Sequence, residues 1–180
     1  MSFLTGGGFG WTGTCGSIIA CSAVVNMVTP MDDAKKIIGE MFAWYEQTPF
    51  PSDIANQKAH NKQFPVDKYK SSDILVQTVA ESPLCHVSVT RWCKAAGYAS
   101  KSPERSERCA RLTSDIVAYT ATKLNSYFAN AYKTEYSMSA SAQGCTSCHE
   151  SGKPFETGGW TRGKMQCNTC HDQEQDHAMK

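Results

Sequence analysis

Residues 102–128, SPERSERCARLTSDIVAYTATKLNSYF, decide the fold class. Ser102 can accept a hydrogen bond from the first free N–H groups of a helix, and Pro103 brings the φ that the first helical position requires. Cys109, Leu112, Ile116, Tyr119 or Thr120, Leu124 and Phe128 then recur at a spacing of three to four, which predicts one face of a long helix laid against a core. The same start signal recurs upstream. Ser82-Pro83 opens a helix carrying Cys85, His86, Val89, Trp92 and Cys93 that stops at Gly97. Thr29 caps another, with Pro30 at its first position and a stripe of Ile37, Ile38, Met41, Phe42 and Tyr45 that Pro49 and Pro51 end.

Weaker signals fill the intervals. Residues 17–27 fit a short buried helix carrying Cys21, and Ser72 starts a short helix through Ile74, Leu75 and Val79. Residues 52–70 read as polar and irregular, and residues 1–13 as a glycine-rich leading stretch. No sustained two-residue alternation appears, so the fold class is mainly α. At 180 residues and 41% hydrophobic side chains, the chain can close a real core. Eighteen basic against seventeen acidic residues leave a formal charge of +1, which points away from nucleic acid as a partner. The longest nearly apolar run, residues 18–28, is too short to cross a hydrocarbon layer of about 30 Å, and no basic stretch precedes it as a signal peptide requires. The expectation is a soluble mature chain with no membrane-spanning segment.

From about Ser137 the composition turns poor in branched aliphatics and rich in Gly, Ser, Thr, Lys and Gln. Such a stretch cannot build a core from its own side chains. It contains two Cys-x-x-Cys-His motifs: Cys145, Cys148 and His149, then Cys167, Cys170 and His171. This is the attachment pattern of c-type haem, with two thiols carrying thioether links and the adjoining imidazole as proximal iron ligand. A four-thiolate zinc ribbon fits the same cysteines, but it has no use for a histidine directly after each pair, and the chain has only five histidines. The expected architecture is therefore a compact helical cysteine-rich domain over residues 1–136, followed by a largely irregular dihaem-binding segment over 137–180 with two haem c groups. Because c-type haem is attached outside the cytoplasm, the expected location is periplasmic or otherwise extracytoplasmic.

Each iron needs a sixth ligand or an open position. His60, His86 and His177 are the candidates, with Met138, Met165 and Met179 behind them. Five cysteines remain: Cys15, Cys21, Cys85, Cys93 and Cys109. They suffice for an iron–sulfur cluster with one spare, for two disulfides or redox thiols, or for plain packing, and the count alone leaves all three open.

Residues 82–93 (SPLCHVSVTRWC) and 107–112 (ERCARL) resemble the redox-active cysteine-rich family that includes split-Soret cytochrome c. The likeness extends from about Cys15 to His171; near the N-terminus the family often has a Gly-Cys-Ala element where this chain reads Gly16-Ser17-Ile18-Ile19-Ala20-Cys21. The resemblance implies a homodimer with two electronically coupled, bis-histidine haems per chain, a distal histidine that the partner chain can supply, and an additional [2Fe–2S] or other iron–sulfur centre. Cys21, Cys85, Cys93 and Cys109 are the ligands it suggests, with Cys15 as the alternative. The function expected is electron transfer between an unidentified donor and acceptor. Two other classes compete: a haem-dependent small-molecule oxidoreductase, which needs an open iron position, and a structural zinc-binding interaction module, which needs a chain without covalent haem.

Overall fold

The computed structural model describes residues 2–65, 71–150, 152 and 154–171. Its backbone is helix α5, Pro103–Phe128, built as its sequence dictates: Ser102 Oγ accepts from Arg105 N at 3.1 Å and Pro103 occupies the first turn. Leu112, Ile116 and Thr120 are buried along it. Phe128, expected on the same face, is 61% exposed. Steps of four residues advance the helix by about 40° beyond a full turn each. By the last turn Tyr127 has taken the inward position, its hydroxyl donating to Asp33 Oδ2 at 2.9 Å.

Helices α1, Gly16–Val28, and α2, Met31–Gln47, pack against α5. Ile18, Val25, Ile37, Met41, Trp44, Tyr45, Phe50, Leu112 and Ile116 form the common core, and Trp44 lies flat on Tyr119 at 4.0 Å between ring centres. Thr29 does not cap α2 as expected. It closes α1, donating to Val25 O from both N and Oγ1, and Pro30 becomes the N-cap of α2. The preceding helix needed a terminating partner more than the following one needed a hydroxyl.

Two expectations for the middle of the chain are corrected. Residues expected to be irregular contain α3, Asp53–His60, whose N-cap Ser52 accepts from Ala55 N. Polar packing holds it: buried Arg111 donates to Asn56 Oδ1 at 2.8 Å, to the carbonyls of Asp73 and Ser71, and to Glu107. The helix expected from Ser72 is extended chain instead. Asn56 bonds both N and O of Leu75, and Trp92 Nε1 donates to Val76 O, which uses up backbone groups that a helix would need. Strand β2, Thr78–Val79, then pairs antiparallel with β1, Pro49–Phe50.

Helix α4, Cys85–Ala96, follows and ends on Gly97 in the left-handed region at φ 74°. Ser82-Pro83 lies just ahead of it, with Ser82 Oγ accepting from Leu84 N at 3.2 Å. The last helix, α6, Ala140–His149, is a further correction, since this stretch was expected to be largely irregular; Ser139 caps it by accepting from Ala142 N. Two 3₁₀ turns, Phe155–Thr157 and Cys167–Thr169, complete the described chain. Among the described residues no helix is long and apolar enough to cross a membrane.

A buried ion pair fastens the approach to α6. Lys123 Nζ meets Glu40 Oε1 at 2.8 Å, and the carboxylate also accepts from Tyr119 OH, Tyr132 OH and Glu135 N. Burial alone would raise the pKa of Glu40, but these donors outweigh it and lower it.

Candidate functional site

The first Cys-x-x-Cys-His motif occupies the end of α6, so Cys145 and Cys148 stand one helical turn apart and His149 is the last helical residue. The His149 ring is braced from behind. Its Nδ1 lies 3.2 Å from Gly158 O, and the Trp160 ring stands 6.2 Å away. Gly158 has φ 88°, and a Cβ there would run into the imidazole, so both backbone conformation and close approach require glycine. Trp160 and Phe155 pair at 5.9 Å and are 68% and 73% exposed.

The second motif is held differently. Cys167 opens a 3₁₀ turn, and the N–H groups of Cys170 and His171 both donate to its carbonyl. Burial first, then the neighbouring Cys145 thiol, pushes the Cys167 thiol pKa up. Ser139 Oγ donates to Gln166 Oε1 at 2.6 Å and Asn168 Nδ2 donates to Ser141 Oγ at 3.0 Å. The motifs therefore face each other across their first cysteines, while Cys148 and Cys170 are exposed. The segment is tied to the helical body through Ser82 Oγ, 3.2 Å from Met165 Sδ, and buried Glu46 lies in the field of the Gln166 N–H. Burial pushes Glu46 up to about 7, the Gln166 donor offsetting part of the effect. A cavity of about 470 Å³ opens at this seam, lined by Phe42, Glu46, Pro83, Tyr136, Met138 and Met165 among others.

A second cysteine centre lies at the start of α1 and α4. An antiparallel bridge joins Thr14 to Leu84: Cys15 N donates to Pro83 O and Cys85 N to Gly13 O, both at 2.8 Å. Gly16 leaves room for the carbonyl of Leu4 beside the first turn of α1. Burial, then Cys15 and Cys109, raise the Cys85 thiol; burial raises Cys93, which also lies in the field of Cys109. Arg105 and Arg108 lower both. Cys21 stands apart from this group. It is buried in the core beside Thr120, and Cys15 is the one cysteine that acts on it electrostatically. Among the described residues no three His, Cys, Asp or Glu side chains converge on a point where a single metal ion could sit, which includes the four motif cysteines of a zinc ribbon.

His86 is exposed on the first turn of α4, next to Cys85. His60 is exposed at the end of α3, with Nδ1 3.1 Å from Ser72 O. His177 lies outside the described residues, as does Met179. Sequence reasoning passed over Gly158, Glu46, Tyr45 and Arg108. Tyr45 counted only as part of an apolar stripe, and Arg108 only as one residue of the 107–112 stretch; both are buried, in the field of the cysteine corner.

Residues 1–124 match the family described as "Putative redox-active protein (C_GCAxxG_C_C)". Split-Soret cytochrome c of Desulfovibrio desulfuricans is 29% identical over 168 residues, which cover 92% of this chain and 56% of the relative, so the chain spans little more than half the length of that protein. A solved structure, described as a novel iron centre in the split-Soret cytochrome c from the same organism, superposes with a TM-score of 0.72 at 29% identity over 95% of this chain and 68% of the other. With most of its length matched and its fold shared, the chain belongs to the redox-active C_GCAxxG_C_C family.

Proposed function

We propose that this chain is a dihaem c-type cytochrome that carries electrons rather than turning over a substrate of its own. The observation that carries the reading is the pair of Cys-x-x-Cys-His motifs, brought together by the hydrogen bonds from Ser139 to Gln166 and from Asn168 to Ser141. Likeness over 92% of the chain to a protein named as a cytochrome c supports it. The residues suit haem. An Nδ1–H donated by His149 to the Gly158 carbonyl selects Nε2 as the iron-binding nitrogen and raises ligand basicity. Exposed Phe155 and Trp160 offer apolar faces beside that imidazole. When bound, each haem supplies one-electron exchange between ferric and ferrous iron.

In this reading residues 1–136 form the helical domain and 137–180 the dihaem segment. His86, His60 and His177 remain the distal candidates. The geometry around the seam favours His86, because the turn that precedes it holds Met165 through Ser82. A homodimer and an extracytoplasmic location belong to the same proposal.

The cysteine corner is proposed to hold an iron–sulfur centre through Cys15, Cys85, Cys93 and Cys109, with Cys15 replacing Cys21 in the expected set. The bridge between Thr14 and Leu84 supports the exchange, as does the burial of Cys21 beside Thr120. Two iron atoms and their bridging sulfides need thiolates spaced more widely than one ion does. The site suits an anionic group: Arg105 and Arg108 act on it, and Cys15 and Cys85 stand where α1 and α4 begin.

Intact mass of the acid-extracted mature protein, with a pyridine haemochrome spectrum, tests the haem assignment. Two covalently attached haems are expected; a haem-free mass overturns it. Six-coordinate, low-spin iron at both sites is expected for a carrier, and a stable five-coordinate haem would turn the reading towards an oxidoreductase.

A further inference from the structure

Buried polar atoms without a partner are rare in folded proteins, and each one calls for an explanation. Among the described residues four side-chain atoms are in this state: Tyr45 OH, Arg108 Nε, Thr48 Oγ1 and Thr78 Oγ1. Thr48 precedes β1 and Thr78 is the first residue of β2. The other two meet at the cysteine corner. Tyr45 is 0% and Arg108 1% exposed. The Tyr45 hydroxyl faces Cys15, Ser88 and Arg108 without completing a hydrogen bond, while Arg108 Nη2 donates to Ser88 Oγ at 3.0 Å and leaves Nε unmatched. Leaving two such donors dry and unpaired is costly, the more so for the charged one. The cost is removed if an acceptor-rich anion fills the corner they share with Cys15, Cys85 and Cys109.

We infer that Tyr45 and Arg108 are the positioning residues of the proposed iron–sulfur centre, donating an O–H and an N–H to its thiolate and sulfide sulfurs and biasing it towards the reduced state. The inference rests on that centre being present. Its electronic basis is simple. A thiolate-bound cluster becomes more negative by one charge when it accepts one electron, so a fixed guanidinium and an oriented hydroxyl favour the reduced form. Burial keeps water from substituting for either group.

The test uses the purified holoprotein and its Tyr45→Phe, Arg108→Gln and Arg108→Lys variants. Iron and acid-labile sulfide are assayed, and dithionite titrations with mediators are followed by electron paramagnetic resonance. The two haem potentials serve as internal references. Tyr45→Phe should keep iron and sulfide at wild-type content and shift the cluster potential to a more negative value, with the haem potentials unmoved. Arg108→Gln should shift it further, and Arg108→Lys, which restores the charge without Nε, should recover part of the difference. If Arg108→Gln does not fold, the nearly isosteric Tyr45→Phe variant still decides. Intact sulfide with an unchanged cluster potential in the folded variants overturns the inference and leaves the centre standing. Absence of sulfide from the wild-type protein overturns the centre itself, and the inference with it.

Discussion

The helical body and the segment proposed to carry haem are stabilised in opposite ways. In the body, Trp44, Tyr45, Phe50 and Trp92 are buried, and two of the buried cations are paired, Lys123 with Glu40 and Arg111 with Glu107. In the segment only Ala142, Thr146 and Gly158 are buried among the described residues from 140 onward, while Phe155 and Trp160 face outward. A body of that kind holds its shape through its own side chains. A segment of this kind gains its apolar mass from what it binds.

The widest separation between the two should appear when haem is withheld. Hydrogen exchange on protein made without haem attachment should lose protection across residues 137–171 and keep it in α1, α2 and α5. Equal protection in both regions would erase the contrast. Next in size is Lys123→Ala, which leaves the Glu40 carboxylate buried without its cation. It should destabilise the body by about 3–5 kcal/mol in denaturant titration. A loss under 1 kcal/mol would mean that water reaches the pair.

Glu46 tests the seam. Its folded pKa is raised from the ordinary 4.5 to about 7, so the folded state favours the protonated form. The stability this provides is complete below pH 4.5 and is lost as pH rises through 7. Undamped, the shift amounts to about 3 kcal/mol; screening at the cavity mouth reduces it to about 1–2. Glu46→Gln should therefore match the wild type at pH 4 and melt at a higher temperature at pH 8. A constant difference across that range would remove Glu46 from the titration. Last in stability comes Gly158→Ala, at about 1–2 kcal/mol for the left-handed backbone, with the His149 ring forced aside by the added Cβ. Its sharper readout is spectroscopic: the low-spin signal of the His149 haem should change while that of the His171 haem stays the same.

Legibility in the sequence followed the same divide. Helix α5 was readable because Ser102, Pro103 and the Leu112–Ile116–Thr120 spacing all agree. Helix α3 was not, because what holds it is Arg111 reaching Asn56 from a distant part of the chain, and apolar periodicity carries no trace of such a bond. The stretch from Ser72 had a plausible cap and apolar residues, yet Asn56 and Trp92 claimed its backbone. At the site, the motif cysteines and His149 were legible from spacing alone. Gly158 was one of 13 glycines, and nothing local distinguishes the one that backs an imidazole. The proposed preference for Cys15 over Cys21 rests on the bridge from Thr14 to Leu84, a pairing between distant residues that one sequence does not reveal.

That bridge also sets an order of events. The caps and stripe of α5 are local and can form on a short chain, whereas Cys15 reaches Pro83 only after a long loop has closed. The entropy of that closure is on the order of 4 kcal/mol for a flexible chain, and contacts formed only later must repay it. Cys109 lies beyond both, so a growing or threading chain presents its cysteines one at a time. The corner is assembled only once α1, α4 and α5 have docked, so loading of the proposed iron–sulfur centre would report on completed folding.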